Sequence, residues 1–198
     1  MRSSDYLTEW LLKDGVISED DREIVQYGLE NLQGTLSCLA LSAIAGFGFG
    51  NVCAGMGMFL LIFPLRKYAG GYHADTKSGC FVTSALMMVM TFFSLYLWHW
   101  PKGVYSIIVM LFDMVIILMA PMENQNKRLD DAEQTVYRKR TRVVLLVENA
   151  LFVLACLFNW WEVFCVVTMS IVFTGLSLMM GLVKLWNVQK YSKVETLR

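Results

Sequence analysis

Three stretches of the chain carry no charged residue over lengths that can cross a lipid bilayer: Asn31 to Leu65, Ser78 to Trp98 and Val163 to Val183. A helix needs about 20 apolar residues to cross the hydrocarbon layer. Two further stretches, Gly103 to Met122 and Val143 to Trp161, contain one acid each. Hydrophobic residues make up 56% of the 198 residues and charged residues only 17%, which exceeds what the core of a soluble domain requires. The sequence therefore predicts an all-α integral membrane protein.

The basic residues are concentrated in the links on one side of the predicted spans. Residues 66–80 contain three Lys or Arg, residues 123–142 six and residues 184–198 four, while the short links at 99–102 and 159–162 contain one and none. By the positive-inside rule, the links rich in Lys and Arg face the cytosol. Four clear transmembrane helices are predicted, at residues 81–100, 103–122, 143–161 and 163–183.

The charge-free run at residues 31–65 is too long for one simple crossing, and its middle is rich in glycine. We predict that it forms a helical hairpin of two short crossings or a re-entrant pair. With the N-terminus inside, 16 of the 17 basic residues lie on one face, whereas a single crossing splits them 13 to 4. Residues 1–30 hold eight acids, three bases and no continuous apolar region. They predict two short cytosolic amphipathic helices, Asp5 to Lys13 and Ser18 to Gln33, and no signal peptide.

The loop predicted at residues 66–80 reads RKYAGGYHADTKSGC and carries the residues best suited to chemistry. A nucleophilic cysteine needs a base or a positive field to raise its thiolate fraction, and His73 is the nearby side chain that titrates in the right range. Seven residues of continuous helix would separate His73 from Cys80 by about 10.5 Å, so a turn must bring them together. Good N-cap residues precede Cys80 and place it in the first turn of the next helix, where the helix dipole favours a thiolate.

The same loop contains a pair of glycines and fixed positive charge. Gly70 and Gly71 allow a close approach of the backbone to a bound peptide, or a positive φ angle. Arg66 and Lys67 offer positive charge for a carboxylate. The four remaining cysteines lie within apolar runs and are interpreted as small buried hydrophobic residues rather than as a disulfide framework.

Two segments of the sequence resemble the AgrB family (accessory gene regulator B) of bacterial membrane peptidases. The first contains Arg66, Gly70, Gly71, His73 and Cys80, with a GGYHA core and a seven-residue spacing between the histidine and the cysteine. The second, APMENQNKRL at residues 120–129, is similar to the Ala-Pro that is followed by Glu and an Asn-Lys pair in family members. One residue of this second segment departs from the family, because Arg stands at position 128 where proline is common.

The resemblance implies a membrane-embedded cysteine endopeptidase whose single domain covers residues 1–198. Such enzymes cut the C-terminal part from an AgrD-type propeptide, keep the remainder as a thioester and promote its cyclisation to a thiolactone, the precursor of a quorum-sensing autoinducing peptide. Cys80 is then the nucleophile, and His73 is the general base and later the acid for the leaving amine. Arg66 and Gly71 match functionally important family positions, Arg66 to orient a carboxylate or the peptide and Gly71 to permit the turn.

The expected partners are the AgrD-type propeptide, the lipid bilayer and a second copy of the chain in a homodimer. No cofactor is expected, and the charge distribution does not resemble that of a nucleic-acid-binding protein. The expected location is the bacterial cell membrane, with several crossings and an active site that faces the cytoplasm.

Two acids lie within predicted spans, Asp113 and Glu148. Acids at such depths are costly and often functional, although they also tie helices together through hydrogen bonds. We interpret Glu148 as a supporting residue that orients the catalytic pair. The basic segment from Lys127 to Arg142 anchors the protein at the cytosolic face, or its Arg138 and Arg140 dock an acidic propeptide tail.

Two other interpretations of the sequence stay open. A metal site would have only His73 and Cys80 as nearby ligands, because His99 belongs to the predicted outer face, and three or four converging ligands are usual. A small-solute membrane transporter or a non-catalytic membrane protein is the alternative function. For a transporter, internal repeats or paired interrupted helices are expected, and only the run at residues 31–65 is broken by glycines.

Overall fold

The computed structural model describes residues 3–72, 77–97, 100–122 and 130–195, and these residues confirm the all-α prediction. A short 3-10 turn, Glu19–Asp21, precedes the second helix. The seven α-helices are α1 Ser3–Lys13, α2 Arg22–Gly48, α3 Val52–Ala69, α4 Lys77–Leu97, α5 Lys102–Met119, α6 Asp131–Phe158 and α7 Trp161–Glu195.

Four helices among the described residues are long and apolar enough to cross a membrane: α3, α5, α6 and the Trp161–Trp186 part of α7. Those in α5, α6 and α7 correspond to the spans predicted at 103–122, 143–161 and 163–183. The fourth is α3, and α4, at the position of the span predicted at 81–100, contributes an apolar helix at Val82–Leu97 within the described residues. The glycine-rich turn divides the 31–65 run and leaves the 18-residue helix α3 on its C-terminal side.

The helix α2 extends further towards the C-terminus than the predicted surface helix. We predicted a surface helix that ends at Gln33, but α2 continues through Gly34 to Gly48 without a break. The hydroxyl groups of Thr35 and Ser37 donate hydrogen bonds to backbone carbonyls four residues earlier in the same helix, at 2.9 and 2.8 Å. These bonds satisfy the two hydroxyl groups within the helix, so the backbone can stay helical past Gln33.

Glycines allow α2 and α3 to pack closely after a tight turn. Gly50 takes a positive φ of 73° in the turn, and the side-chain oxygen of Asn51 accepts a hydrogen bond from the backbone N–H of Ala54 at 2.9 Å, which caps α3. A Cβ atom on Gly55 would collide with the carbonyl oxygen of Ser42 and would lie 3.1 Å from the Cα of Gly46. The two backbones can therefore meet only because these positions lack side chains.

The helix α7 forms the centre of the bundle and packs against α3, α4, α5 and α6. Its buried side chains include Cys165, Val167, Ile171 and Leu178. The helix ends gather at two opposite ends of the bundle. One, which we call the motif end, contains the C-terminal ends of α3 and α5, residues 70–72 and 120–122, and residues 177–181 of α7.

The other end of the bundle contains the links α2–α3, α4–α5 and α6–α7. There the hydroxyl of Tyr96 donates to the carbonyl of Phe49 at 3.0 Å, and the ammonium group of Lys102 donates to the carbonyl of Cys156 at 2.9 Å. The indole N–H of Trp161 donates to the carbonyl of Leu95 at 3.1 Å. These bonds tie the links together far from the motif end.

The close packing of α2 and α3 generates a prediction with a matched control two residues away. We expect Gly55→Ala to lower the free energy of unfolding by about 1–3 kcal/mol, because the new methyl group would push the two backbones apart. At Gly57 a Cβ atom would lie 3.8 Å from Cγ1 of Val166, an ordinary contact. Gly57→Ala should therefore leave stability unchanged or raise it through its helix propensity. Thermal unfolding in detergent checks both variants, and equal midpoints would contradict the packing described here.

Candidate active site

Two segments that lie far apart in the sequence meet at the motif end. Gly70 and Met122 form an isolated parallel β-bridge, and the backbone N–H of Met122 donates to the carbonyl of Ala69 at 2.9 Å. Gly70 belongs to the GGYHA segment, and Met122 follows the Ala-Pro pair of the second segment. The two stretches that carry the family resemblance are thus in direct contact, which sequence reasoning did not predict.

Both glycines of the first segment adopt backbone conformations that other residues rarely take. Gly70 has a φ of 76° and Gly71 a φ of 120°, which confirms the predicted positive φ. Neither position has room for a side chain, since a Cβ atom on Gly70 would collide with the carbonyl oxygen of Met122 and one on Gly71 would lie 2.7 Å from Oγ of Ser177. Both positions therefore require glycine for two reasons: the positive φ angle and the lack of space for a Cβ atom.

Arg66 holds the residue after these glycines in place. Its Nη2 donates hydrogen bonds to the carbonyl of Tyr72 at 2.9 Å and to Oγ of Ser177 at 3.2 Å. The N–H of Tyr72 in turn donates to the carbonyl of Ser177 at 2.8 Å. Tyr72 is therefore anchored through both its N–H and its carbonyl, between the last turn of α3 and the body of α7.

One more turn of α7 completes the support under Tyr72. A Cβ atom on Gly181 would lie 2.6 Å from the sulfur of Met122 and 3.0 Å from the N–H nitrogen of Tyr72. The ammonium group of Lys184 lies 5.4 Å from the centre of the Tyr72 ring, within the range of a cation–π contact. Residues 177–184 of α7 thus form the surface on which the two segments rest.

Sequence reasoning missed Ser177 and Gly181 as parts of this site. Both lie in an apolar run whose composition gives no sign of chemistry. The only available signal is their spacing, because Ser170, Thr174, Ser177 and Gly181 follow one another at intervals of four, three and four residues. Such intervals place small and polar residues on one face of a helix.

The catalytic pair predicted from the sequence is only partly covered by the described residues. His73 lies outside them, as does the link from residue 73 to residue 76. The backbone of Cys80 lies in the first turn of α4, which begins at Lys77, and this confirms the predicted position of Cys80 at a helix start. The approach of His73 to Cys80 stays a prediction.

The remaining predicted residues lie on α6. Glu148 is buried with 1% of its surface exposed, and its Oε1 accepts a hydrogen bond from Oγ of Ser170 at 3.3 Å. Ser170 lies two helical turns before Ser177, so Glu148 faces the bundle interior below the motif end. Its role as an orienter of the catalytic pair stays a prediction.

Arg138 and Arg140 point to different environments. Arg138 lies on one face of α6 with Thr135, Lys139, Arg142, Val143 and Leu146, beside a shallow open depression of about 320 Å³ that we call the groove. The guanidinium of Arg140 instead lies 5.3 Å from the centre of the Tyr68 ring on α3. The groove combines three basic side chains with an apolar floor, and it is suited to an anionic segment that also carries apolar residues.

The donor groups of the described residues do not form a metal centre of the usual kind. Within residues 3–72, 77–97, 100–122 and 130–195, no three His, Cys, Asp or Glu side chains converge. The motif end supplies a turn at residues 70–72 that is anchored on Arg66. This turn comes directly before the predicted base, His73, and five residues before the start of α4, which carries the predicted nucleophile, Cys80. That arrangement suits covalent catalysis, which requires two groups at a fixed separation.

Comparison with known proteins identifies the family of the chain. Residues 4–180 match the AgrB family, described as accessory gene regulator B. No curated protein and no solved structure matches the chain. The match runs from α1 through both segments of the motif end and most of α7. Because it covers far more than half of the 198 residues, the chain belongs to the AgrB family.

Proposed function

We propose that this multi-pass membrane protein is a cysteine endopeptidase that cleaves an AgrD-type propeptide and cyclises the remainder to a thiolactone. Membership of the AgrB family supports propeptide processing in quorum sensing as the general role. The observation that carries the finer proposal is the anchoring of Tyr72 between Arg66 and Ser177. This anchor fixes the backbone immediately before His73, as a positioned base requires.

The proposed reaction needs two acyl transfers and consumes no water. In the first, the Cys80 thiolate attacks the carbonyl of the scissile peptide bond, and His73, having taken the thiol proton, returns it to the leaving amine. The C-terminal part departs as a free peptide, and the remainder stays on Cys80 as a thioester. In the second, a cysteine thiol inside the bound peptide attacks that thioester, closes the thiolactone and restores the Cys80 thiol. One thioester replaces another, so the exchange is nearly even in energy.

Other residues serve this reaction by holding its parts. Arg66, Gly70 and Gly71 form the anchored turn, and their proposed role is positioning rather than contact with the reacting atoms. The groove at Arg138 is the proposed dock for an acidic propeptide tail, and Arg140 supplies further positive charge nearby. The proposed active site faces the cytoplasm, because the propeptide is made in the cytosol. The proposed assembly is a homodimer.

Substitution of the catalytic pair is the direct test of the proposed chemistry. The chain is co-expressed with a propeptide that carries an internal cysteine, and the products are identified by mass spectrometry. Cys80→Ser and His73→Ala should each abolish both the thiolactone and the released C-terminal peptide, because neither thioester formation nor proton transfer remains. If both products still form in either variant, the mechanism is wrong.

The anchor itself can be tested at Ser177. Ser177→Ala removes the hydroxyl that accepts from Arg66 but keeps the backbone bond to Tyr72, so we expect processing to slow about 10-fold, the effect of losing one hydrogen bond to a charged group. Ser177→Thr retains a hydroxyl and should restore most of the rate. Ser106→Ala is the control, because Ser106 lies near the opposite end of the bundle and bonds only to the carbonyl of Lys102. A rate that is unchanged in Ser177→Ala would contradict the positioning role.

The groove on α6 generates a separate prediction about substrate binding. Arg138→Glu should weaken propeptide processing at low salt and less so at high salt, because salt screens exposed charges. Arg140→Glu should have the smaller effect, since its guanidinium lies over Tyr68 outside the groove. Lys13→Glu on α1 makes the same charge change away from the groove. Processing at 20 and 500 mM salt, compared across the three variants, checks this, and an unchanged rate in Arg138→Glu would exclude docking at the groove.

A further inference from the structure

Four buried side-chain oxygens lack a hydrogen-bond partner among the described residues. One is Oγ of Ser94 on α4, and the other three are Oδ1 of Asp113 on α5, Oε2 of Glu148 on α6 and Oγ1 of Thr174 on α7. Glu148 is 1% exposed and Thr174 is fully buried. Buried polar atoms are nearly always satisfied in proteins, so three orphans on three helices call for a physical explanation.

The contacts around these atoms place them in one region. Ser170 donates to Oε1 of Glu148 at 3.3 Å, and Thr174 lies one turn further along the same face of α7. The next residue, Gly175, lies directly against the ring of Phe112, which precedes Asp113 in α5. Asp113 and Glu148 also interact electrostatically. The helices α5, α6 and α7 therefore converge on a shared polar region.

The carboxyl groups of this region have no positive partner. Neither Asp113 nor Glu148 forms an ion pair with a described Lys, Arg or His, and the nearest other polar groups are neutral, with Asn149 beside Asp113 and Ser170 beside Glu148. An ionised carboxylate away from water is costly unless it is paired or bound to a cation. Two ionised carboxylates in one site also repel each other. A bound monovalent cation would offset the charge of one carboxylate and would weaken the repulsion between the two acids.

We propose that Asp113, Glu148 and Thr174 bind a monovalent cation, of which Na⁺ is the best fit, inside the bundle. The donor set consists of carboxyl and hydroxyl oxygens, which hard cations prefer. Soft transition metals prefer thiolate or imidazole ligands, which this set lacks, and Mg²⁺ retains several waters that an apolar bundle does not accommodate. The cation takes no part in the proposed acyl transfers, although one of its ligands, Glu148, is also the predicted orienter of the catalytic pair.

The position of the site links it to the motif end. Thr174 lies three residues before Ser177, so the proposed cation binds the same face of α7 that anchors Tyr72, about one turn away. Occupancy would hold α5, α6 and α7 together at this depth, because each helix supplies one ligand. The cation is therefore a structural ligand of the helix on which the two family segments rest.

The test measures thermal unfolding of the full chain in detergent at constant ionic strength, as N-methyl-D-glucamine chloride is replaced by NaCl or by KCl. We expect a saturable rise of the unfolding midpoint of about 2–4 °C with Na⁺, and a smaller one with K⁺. Glu148→Gln and Asp113→Asn should lose this dependence. A midpoint that is the same in all three salts would overturn the proposal and would favour a proton held by the two acids.

A conservative pair of variants covers the case in which the acid variants fail to fold. Thr174→Val keeps the shape of the side chain and removes one ligand, so the Na⁺ concentration at half-maximal shift should rise several-fold. Thr168→Val is the matched control on the same helix, because its hydroxyl already donates to the carbonyl of Phe164 at 2.8 Å. An equal half-maximal concentration in both variants would exclude Thr174 as a ligand and overturn the three-helix site.

Discussion

The hydrogen bonds that Arg66 makes to the carbonyl of Tyr72 and the hydroxyl of Ser177 connect the parts of the motif end. They join the last turn of α3, the turn that follows it and the central helix α7. A guanidinium suits this task because it presents several donors in a fixed plane. Because the guanidinium is charged, its hydrogen bonds to these two oxygens are stronger than those of a neutral donor. Arg66 therefore holds the turn firmly against α7.

Close contact between backbones is the second requirement of this architecture, and glycine meets it at each end of the bundle. Gly46 and Gly55 bring α2 and α3 together beside the turn at one end, while Gly70, Gly71 and Gly181 do so at the motif end. At both ends the space is closed mostly by backbone atoms, which cannot move aside as a flexible side chain can. These five glycines therefore determine how closely the helices and their links meet.

The sequence predicted the helices more successfully than their contacts. Long apolar runs identify spans because the bilayer sets a minimum length for a crossing helix. The length of the runs was sufficient to predict α5, α6 and α7. The run at residues 31–65 was harder: its glycine-rich middle indicates where the chain turns, but composition cannot show that α2 begins at Arg22. Gly70 and Gly71 were predicted from their neighbours, whereas Ser177 was not, since its importance arises from a contact across 111 residues that no local pattern records.

The face of α7 that carries Ser170, Thr174, Ser177 and Gly181 gives the bundle a single axis of polar contacts. Its deeper half meets Glu148, and its outer half supports Tyr72. A change in how α7 packs at the deeper half must therefore reach the outer half, because a helix is stiff over the two turns that separate Ser170 from Ser177. The family segments thus rest on an element whose position is fixed by buried polar groups, and these are more specific in their geometry than apolar contacts.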